Sequence, residues 1–452
     1  MALAGDAMKF TTTTVRLGFR RVRVTEPNAR QYGHLGLEMA MTLAHARKER
    51  TDVYFVRPAT SLGLGLFELE SPEVRVLRPP QFVRGVFRAF VGWRRLRDRI
   101  DRWRALKSEE IQRELVREAT RYVINPGMPA PVRERLRRFR RRLRTSLEQL
   151  ARDRRSGPPY YERRLLREAV PVRLHAAAAA DAARQARAHG IPEQGRIVCL
   201  HVRESGYKRG QEIQDTKPEV GRDDRARNAK IEACLDAIDY LVQEGYTVVR
   251  LGDPTMTPLR HPGVIDLATS EARTNLLEIA CLLRCDFVIA GESAFVNLVC
   301  MTNTPILLVN ATEPISAYSV RAPGLFMMKT VVDRRDGRRL TPVDMLSREY
   351  HRQLRDTRRY VYVDNTPEEI RDAAREMLDW VRGRWTESDE QRSYHDAIMA
   401  ASARLRRFSA YVRKWGLHEG FLGDGRIAQV SVAGAVMHDA VAEQDEPRTV
   451  AQ

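Results

Sequence analysis

Polar side chains that could bind an anion follow a short apolar run near the middle of the chain. The segment Arg196–Lys208 reads RIVCLHVRESGYK, so the apolar stretch is followed at once by His201, Arg203, Glu204 and Lys208. An arginine can grip a phosphate through two parallel hydrogen bonds, and a lysine can add a point charge beside it. The segment therefore predicts a site for an anionic group, to which His201 would hydrogen-bond directly or by orienting Arg203.

The turn GESAF is a second candidate anion site. Its residues Gly291, Glu292, Ser293, Ala294 and Phe295 follow the apolar run DFVIA and precede a helical pattern. Backbone N–H groups in the first turn of a helix attract anions, and serine is a preferred N-cap residue. The turn is interpreted either as part of a phosphate-binding site or as an ordinary capped helix start.

Other polar residues stand at the ends of apolar runs or of the long polar loop, where each could bind a ligand or simply shape a turn. Asp253, after TVVRLG, could accept a hydrogen bond from a ribose or sugar hydroxyl. Asp266, in VIDLATS, could contact a nucleobase or a ribose. These secondary candidates for binding a donor are Arg227, Asn228, Gly252, Asp253, Asp266 and Ser270.

A further group of candidates lies in the first half of the chain, in the turn QYGHLG. The patterns there are a strand over VRLGFRRVRVT, this turn, a helix over LEMAMTLAHARKER and a strand over TDVYFVR. A strand, a glycine-containing turn, a helix and a second strand are typical of a βαβ unit. This interpretation places Tyr32, Gly33 and His34 in a loop that could bind a substrate.

Apolar runs alternate with helical patterns from Arg196 onward. The predicted strands are IVCLHV, TVVRLG, VIDLA, DFVIAG and PILLVN. Strands separated by helices of this length predict an α/β fold with a right-handed, doubly wound parallel sheet. The carboxyl ends of parallel strands lie at one edge of the sheet, where such folds bind ligands. We therefore expect His201, Asp253 and Ser293 to meet along one crevice that faces another lobe.

Several other chemistries lack the residues that they require. Neither GxGxxG nor GxxxxGK[ST] occurs at a strand-to-helix junction, and GxSxG and HExxH are absent from the sequence. No DxD triplet occurs, so we predict a site that works without a metal ion. The cysteines form no CxxC pair and lie in apolar or helical patterns, which favours buried free thiols in a reducing cytoplasm.

The chain is long and strongly basic, with 452 residues and a formal charge of +18. Its length favours two domains of ordinary size. We predict an N-terminal lobe over residues 1–190, with a basic helical insertion over about 82–155, a second lobe over 191–385, and a helix with a polar tail over 386–452. Arginine runs with Trp93 and Trp103 could hold an anionic membrane surface or a nucleic acid, or could form a solvated helix packed on its own lobe.

The expected location is the cytoplasm, with peripheral attachment to the inner face of the membrane as a second option. The N-terminal residues MALAGDAMKFTTTTVR lack the apolar centre of a signal peptide, and no stretch approaches the roughly 18 apolar residues of a membrane span. No nucleic-acid partner is expected, because the basic stretch lacks regularly interleaved aromatic residues and any nucleic-acid-binding motif.

The second half of the chain resembles the bacterial glycosyltransferases of surface-carbohydrate biosynthesis. The likeness is carried by HVRESGYK, RN, GYTVVRLGD, IDLATS, CDFVIAGESA and PILLVN, and QYGHLGLE matches the N-lobe loop of the family. More distantly, the chain is similar to GT-B fucosyltransferases and heptosyltransferases, whose donor lobe carries an HxR element after a strand and a serine-containing turn before a later helix. The likeness is weak through the basic stretch and at the C-terminus.

The resemblance implies a GT-B-like fold, in which two Rossmann-like lobes face a cleft. It also implies a nucleotide-sugar donor in the second lobe and a glycan or lipid-linked acceptor in the first, with no cofactor, since the nucleotide sugar is a co-substrate. By motif position, Arg203 would hold the donor diphosphate with His201 and Lys208 beside it, and Ser293, Ala294 and Phe295 would line the pocket.

Sugar transfer also needs a base for the proton of the acceptor. We nominate His34, because a histidine titrates near neutral pH, with Glu204 or Glu292 as alternatives. Two competing interpretations of the chain are an arginine-rich nucleic-acid-binding protein and a catalytically silent protein that binds sugar nucleotides.

Overall fold

The computed structural model of the chain describes residues 11–17, 19–27, 32–57, 64–81, 83–94, 131, 170–206, 216–217, 222–293, 295–314, 324–347, 349–350, 353–405 and 425–432. Most of the predicted basic insertion lies outside these residues, as do Trp103, Lys208 and Ala294. Within the described residues the fold is mixed α/β, as predicted.

The larger sheet has seven strands, and every neighbouring pair is parallel. In spatial order they are β10 (Val264–Asp266), β9 (Tyr246–Arg250), β6 (Arg196–His201), β11 (Phe287–Gly291), β12 (Ile306–Ala311), β13 (Gly324–Met328) and β16 (Gly425–Ile427). The five strands predicted for the second half all belong to this sheet, so the parallel sheet is confirmed.

Helices cover both faces of this sheet, which is why its central strands are apolar runs rather than alternating patterns. Helices α3 (Leu235–Gln243) and α6 (Pro367–Val381) pack on one face. Helices α4 (Asn275–Arg284), α5 (Val296–Thr302) and α7 (Asp389–Leu405) contribute to the core on the other. In β6, Val198 and Leu200 belong to the first core, whereas Ile197 and Cys199 belong to the second.

A smaller sheet near the N-terminus corrects one prediction. The segment VRLGFRRVRVT is not a single strand, because the chain reverses between β1 (Thr11–Leu17) and β2 (Arg20–Glu26), which pair antiparallel. Two residues, one of them glycine, separate these strands, and this is a composition typical of a hairpin turn. Strand β3 (Asp52–Phe55) then pairs parallel with β2, which completes the predicted βαβ unit.

Helix α1 (Tyr32–Glu49) begins earlier than predicted. Tyr32, Gly33 and His34 therefore lie in its first turn, not in a loop before it. Predicted helix ends are the least reliable part of a sequence pattern, because the first turn makes few intrahelical hydrogen bonds. Strand β15 (Tyr360–Val363) precedes α6, whose Thr366 forms a capping box at its start.

The two sheets share one apolar core through α1 and a 3₁₀ turn at Leu64–Glu68. A Cβ atom on Gly36 would lie 2.7 Å from Leu298 Cδ2, and a Cβ atom on Gly65 would lie 2.7 Å from the Asn275 carbonyl oxygen. Glycine is needed at Gly65, where the backbones approach closely, whereas the near neighbour of Gly36 is the end of a flexible side chain. The boundary predicted at residue 190 thus separates elements with a common core, and two lobes facing a cleft stay a prediction.

The remaining described elements are short or peripheral. Helix α2 (Ala176–Ala188) is capped by His175, which accepts a hydrogen bond from the backbone of Ala178, and it packs on α4. Residues 83–94 are helical and pack on the smaller sheet. The other strands are β4 (Leu69–Glu70), β5 (Arg173–Leu174), β7 (Thr216–Lys217), β8 (Arg222–Asp223) and β14 (Thr330–Asp333).

Candidate functional site

The connections of the larger sheet reverse direction between β6 and β11. Strand β6 leads through α3 to β9 on one side, and β11 leads through α5 to β12 on the other, with α3 and α5 on opposite faces. Open α/β sheets bind their ligands in the crevice that such a reversal creates at the carboxyl ends of the strands. The predicted residues after β6 and β11 therefore lie on either side of one crevice.

Contacts across this crevice bring the two predicted segments together. The His201 ring stacks on Phe295, with 4.3 Å between the ring centroids. A Cβ atom on Gly291 would lie 3.4 Å from the backbone nitrogen of Arg203, so the two strand ends are adjacent. Residues about ninety positions apart in the sequence thus form one local cluster.

Arg203 is held by Asn228, the residue that ends the polar loop. Its guanidinium donates a hydrogen bond to Asn228 Oδ1, and Asn228 Nδ2 donates to Ser205 Oγ over 2.7 Å. The Lys329 ammonium group donates to the Asn228 carbonyl oxygen and to Asp364 Oδ1, each over 2.6 Å. The side chains around Asn228 therefore fix the position of an arginine that is itself 6% exposed.

His201 is a neutral side chain at physiological pH. Burial lowers its pKa to about 4, and this effect outweighs the hydrogen bond with the Leu251 carbonyl oxygen, which acts in the opposite direction. His201 Nδ1 lies 3.1 Å from that oxygen, so Nδ1 carries the proton. His201 can therefore stack and orient neighbouring groups, but it does not add a positive charge to the cluster.

Arg227 is a second buried cation near Arg203. Burial, followed by repulsion from Arg355, lowers the pKa of Arg227 to about 10, which still leaves it charged at neutral pH. It pairs with Asp224 at 3.3 Å, but its buried Nε has no hydrogen-bond partner among the described residues. An anion bound beside these guanidinium groups would offset their mutual repulsion.

Both carboxylate oxygens of Glu292, in the GESAF turn, accept hydrogen bonds. Oε2 accepts hydrogen bonds from the backbone nitrogen and the hydroxyl of Thr312, each over 2.6 Å, and Oε1 accepts from the Arg355 guanidinium. Burial alone would raise the pKa of Glu292, but the charges of Arg355 and Arg227 lower it. The carboxylate is therefore charged and held in place.

The N-cap residue of α5 is Phe295, which has no side-chain capping bond, so Ser293 shapes the turn before this helix and is not its predicted cap. Its Oγ accepts a hydrogen bond from the backbone nitrogen of Phe295 over 3.1 Å, just before α5. The helix that follows is only seven residues long. Ser293 lies beside the crevice, and whether it also binds a ligand stays a prediction.

Arg250, at the end of β9, binds the carboxylates of two candidate site residues. The fully buried guanidinium donates to Asp266 Oδ2 over 3.0 Å and to Glu204 Oε1 over 3.3 Å. Glu204 Oε2 accepts from the nitrogen and the hydroxyl of Thr257, each over 3.0 Å. Both carboxylates are thus engaged in shaping the loops after β6 and β10.

The neighbouring candidates mainly shape turns. Asp253 accepts a hydrogen bond from the backbone nitrogen of Thr255 over 2.9 Å, and Ser270 accepts one from that of Ala272 over 3.3 Å. Gly252 donates its backbone N–H to the buried carboxylate of Glu278 over 3.4 Å. None of these contacts tests ligand binding.

A cavity of about 650 Å³ opens beside Arg203 and its partner Asn228. Its volume lies in the range that small-molecule ligands occupy. The lining residues are Glu204, Ser205, Asn228, Ala229, Lys230, Ile231, Glu232 and Thr257. Two glutamates, one lysine and several neutral polar groups thus line a space large enough for part of a nucleotide.

Helix α1 brings the first half of the chain to this edge of the sheet. Gly36, in its second turn, packs against α5, which follows the GESAF turn. The first turn of α1, with Tyr32 and His34, therefore lies close to the crevice. The side chains of these two residues are outside the described part of the structure.

Sequence reasoning missed three basic residues of this region, Arg250, Lys329 and Arg355. Each is at most 3% exposed and each holds a carboxylate or a backbone oxygen near a strand end. Lys329 follows an apolar strand, which is the signal that drew attention to Arg203. Arg355 lies in a polar stretch and carries no such signal.

Among the described residues, no helix is long and apolar enough to cross a membrane. Within the same part of the chain, no three histidine, cysteine, aspartate or glutamate side chains are grouped so that they could hold a metal ion.

The chain matches no known family profile and no curated protein. Solved structures with partial similarity include a glycosyl transferase family 9 protein from Veillonella parvula, with 14% identity and a TM-score of 0.25 over 35% of this chain and 42% of that one. The E. coli ADP-heptose LPS heptosyltransferase II has 12% identity and a TM-score of 0.26 over 41% of this chain and 54% of that one.

A third structure is the dodecameric iron-containing heptosyltransferase TibC in complex with ADP-D-β-D-heptose, with 15% identity and a TM-score of 0.24 over 43% of this chain and 47% of that one. The chain thus spans about half the length of these proteins. The TM-scores are too low to support an argument about this chain, whose function has to be inferred from its own site.

Proposed function

We propose that this protein is a GT-B-type glycosyltransferase that moves a sugar from a nucleotide-sugar donor to a surface polysaccharide or a lipid-linked glycan. The observation that carries the proposal is the pair of guanidinium groups of Arg203, buried at the reversal point of the parallel sheet, and Arg227, whose side chain is 17% exposed. Each directly precedes a residue that lines the cavity of about 650 Å³, Glu204 and Asn228 respectively. A diphosphate supplies the anion that this arrangement favours, and a nucleotide of that size suits the space.

In this mechanism the guanidinium groups stabilise the negative charge that develops on the departing nucleoside diphosphate. Donors that are fixed before the reaction are more effective than mobile ones, because they need not reorganise as the bond breaks. Asn228 provides this rigidity for Arg203, and Asn228 is itself held by Ser205 and Lys329. The proposed site needs no metal ion, since the leaving group meets fixed positive charge.

His34 is the proposed base that takes the proton of the acceptor hydroxyl. Glu204 and Glu292 are less suited to this role, because both oxygens of each carboxylate already accept hydrogen bonds from protein groups. His34 belongs to the turn of α1 that lies near α5 and the crevice. In this arrangement α1 presents the acceptor and the larger sheet holds the donor.

Replacement of Arg203 by alanine tests the proposal. Thermal shift against UDP, GDP, ADP and CMP sugars identifies the donor for the wild-type protein, because a ligand that binds the native state raises Tm. With that donor, we expect Arg203→Ala to lower kcat/KM about 100-fold, which is the loss of one fixed donor to the developing charge. The matched control is Arg225→Ala, an exposed arginine paired with Asp223, which should retain full activity.

Three outcomes would count against the proposal. No Tm increase with any nucleotide sugar would exclude the donor site. A donor that binds without transfer to any glycan acceptor or to water would identify a silent sugar-nucleotide-binding protein. Equal activity of Arg203→Ala and the wild type would remove Arg203 from the site.

A further inference from the structure

The helix of residues 83–94 carries two apolar rows on different sides. Val83, Phe87 and Val91, at successive intervals of four, face the smaller sheet, and Phe87 and Val91 are almost fully buried. A second row, Val86, Phe90 and Trp93, has exposed fractions of 38%, 44% and 69%. A helix that only packed on its own sheet would need the first row alone.

A fourth exposed apolar side chain lies at one end of the same unit. Phe19, in the turn between β1 and β2, is fully exposed. The helix follows Val76, which pairs parallel with Val53 of β3, and it packs on the same small sheet whose β1–β2 turn carries Phe19. Four of the seven large apolar side chains that the described residues expose belong to this one unit.

The charge around these side chains is mostly positive, although on β2 Arg20 pairs with Asp52, and Arg21 and Arg23 pair with Glu49. Residues 11–27 and 83–94 contain seven arginines, no lysine and a single acidic residue, Glu26. Arg84 and Arg88 are exposed on the helix, and no carboxylate of the described residues pairs with either. Exposed aromatic rings beside unneutralised arginines are suited to a surface that offers both anionic groups and an apolar layer.

We propose that this surface, formed by the β1–β2 turn and the 83–94 helix, docks the protein on an anionic lipid bilayer. Phe90, Trp93 and Phe19 would enter the boundary between headgroups and acyl chains, and the arginines would lie among the lipid phosphates. A nucleic acid would satisfy the arginines but would leave the aliphatic Val86 and the aromatic row without an apolar partner. This inference is independent of the proposed sugar transfer.

Vesicle flotation of the full-length protein tests the proposal. Vesicles of phosphatidylcholine with about one third phosphatidylglycerol should carry the protein upward at about 0.05 M salt, and binding should weaken at about 0.5 M salt. Vesicles of pure phosphatidylcholine should bind much less. We expect Phe90→Ser/Trp93→Ser to lower the bound fraction about tenfold, because the apolar contribution is lost.

Matched controls separate this surface from general stickiness. Val343→Ser/Val363→Ser removes two valines of similar exposure, 41% and 48%, from other parts of the chain and should bind like the wild type. Arg84→Gln/Arg88→Gln should abolish the preference for anionic vesicles, whereas Arg184→Gln/Arg392→Gln, at exposed positions elsewhere, should not. Far-UV circular dichroism and Tm should match the wild type for every variant, since all of these side chains are exposed.

Quenching by brominated lipid adds a positional test. Subtraction of the signal of Trp93→Phe from that of the wild type isolates Trp93 from the other tryptophans, and this difference should be quenched when anionic vesicles are added. The proposal is overturned if the wild type does not float, or if all variants float equally. It is also overturned if the Phe90→Ser/Trp93→Ser variant changes only the oligomeric state, or if nucleic acid binds where vesicles do not.

Discussion

Arginine has opposite roles at the carboxyl edge of the large sheet and on the small N-terminal sheet. At the edge, Arg250 and Arg355 are buried and each is surrounded by carboxylates. On the 83–94 helix that packs on the small sheet, Arg84 and Arg88 are exposed and no described carboxylate pairs with them, unlike Arg20, Arg21 and Arg23 of β2. Buried, paired arginines fix the positions of loops, whereas exposed, unpaired ones create a surface potential.

This difference has an energetic consequence. A buried charge is tolerated only with partners, so removal of one member leaves the others uncompensated and strongly destabilises the fold. An exposed arginine is already hydrated, and its removal changes stability little. Substitutions at the edge should therefore act on folding, whereas substitutions on the small sheet should act on association.

The largest effect is expected for Arg355→Met. The variant leaves Glu292 and Glu313 buried without their shared guanidinium. We expect the free energy of unfolding to fall by about 3–5 kcal/mol, measured by urea denaturation. The matched change Arg88→Met on the exposed helix should lower it by less than about 0.5 kcal/mol.

A second substitution sharpens this test. In Glu292→Gln/Arg355→Met the Glu292 carboxylate is replaced by a neutral amide. The double variant should therefore lose less unfolding free energy than the two single variants lose together. If Arg355→Met and Arg88→Met are equally stable, the two regions do not differ as described.

The next largest effect is a dependence of stability on pH, which arises from His201 at the carboxyl edge of the large sheet. Because the pKa of His201 is about 4 in the folded protein and 6.5 ordinarily, the unfolded chain binds more protons between these values. The contribution of His201 to stability is therefore fully present above about pH 6.5 and is lost as the pH falls toward 4. Between pH 7.5 and pH 4.5 this contributes a loss of about 2–3 kcal/mol.

The variant His201→Gln isolates this contribution. Its unfolding free energy, measured at the same two pH values, should fall by about 2–3 kcal/mol less than that of the wild type. An identical pH dependence of the two proteins would show that folding does not lower the pKa of His201.

The smallest effects are expected for substitutions of two glycines, one in the 3₁₀ turn and one in the 83–94 helix. In Gly65→Ala, the new Cβ would lie 2.7 Å from the Asn275 carbonyl oxygen, so we expect a destabilisation of about 1–3 kcal/mol. Gly85 in the 83–94 helix has no atom within 4 Å of such a Cβ, and Gly85→Ala should stabilise by about 0.5–1 kcal/mol. Thermal denaturation of both variants gives the comparison, and the same sign for both would contradict it.

The larger sheet was predictable from the sequence because its central strands are buried on both faces. IVCLHV and DFVIAG are continuous apolar runs, and a run of this kind followed by polar residues marks a strand and its carboxyl end. The meeting of His201 with Phe295 then follows from parallel topology alone. The hairpin of β1 and β2 was missed, because its two-residue turn hardly interrupts the alternation on either side.

The partners of the site residues were less accessible to sequence reasoning. Asp266 and Glu204 looked like ligand-binding carboxylates, and nothing nearby in the sequence indicates that Arg250 engages both. Arg355 reaches Glu292 from 63 residues away, and its backbone adopts a left-handed conformation with φ of 61°. Such pairs depend on how loops fold over the sheet, which no local pattern encodes.

The ribosome makes the edge strand β16 of the large sheet long after its partner strand β13. β16 pairs with β13, although about one hundred residues separate them along the chain. At roughly 5–20 residues per second, a ribosome leaves the apolar edge of β13 uncovered for several seconds. During that interval the nascent chain exposes a strand edge that could pair with a neighbouring chain, so this is the stage at which a chaperone would protect it most.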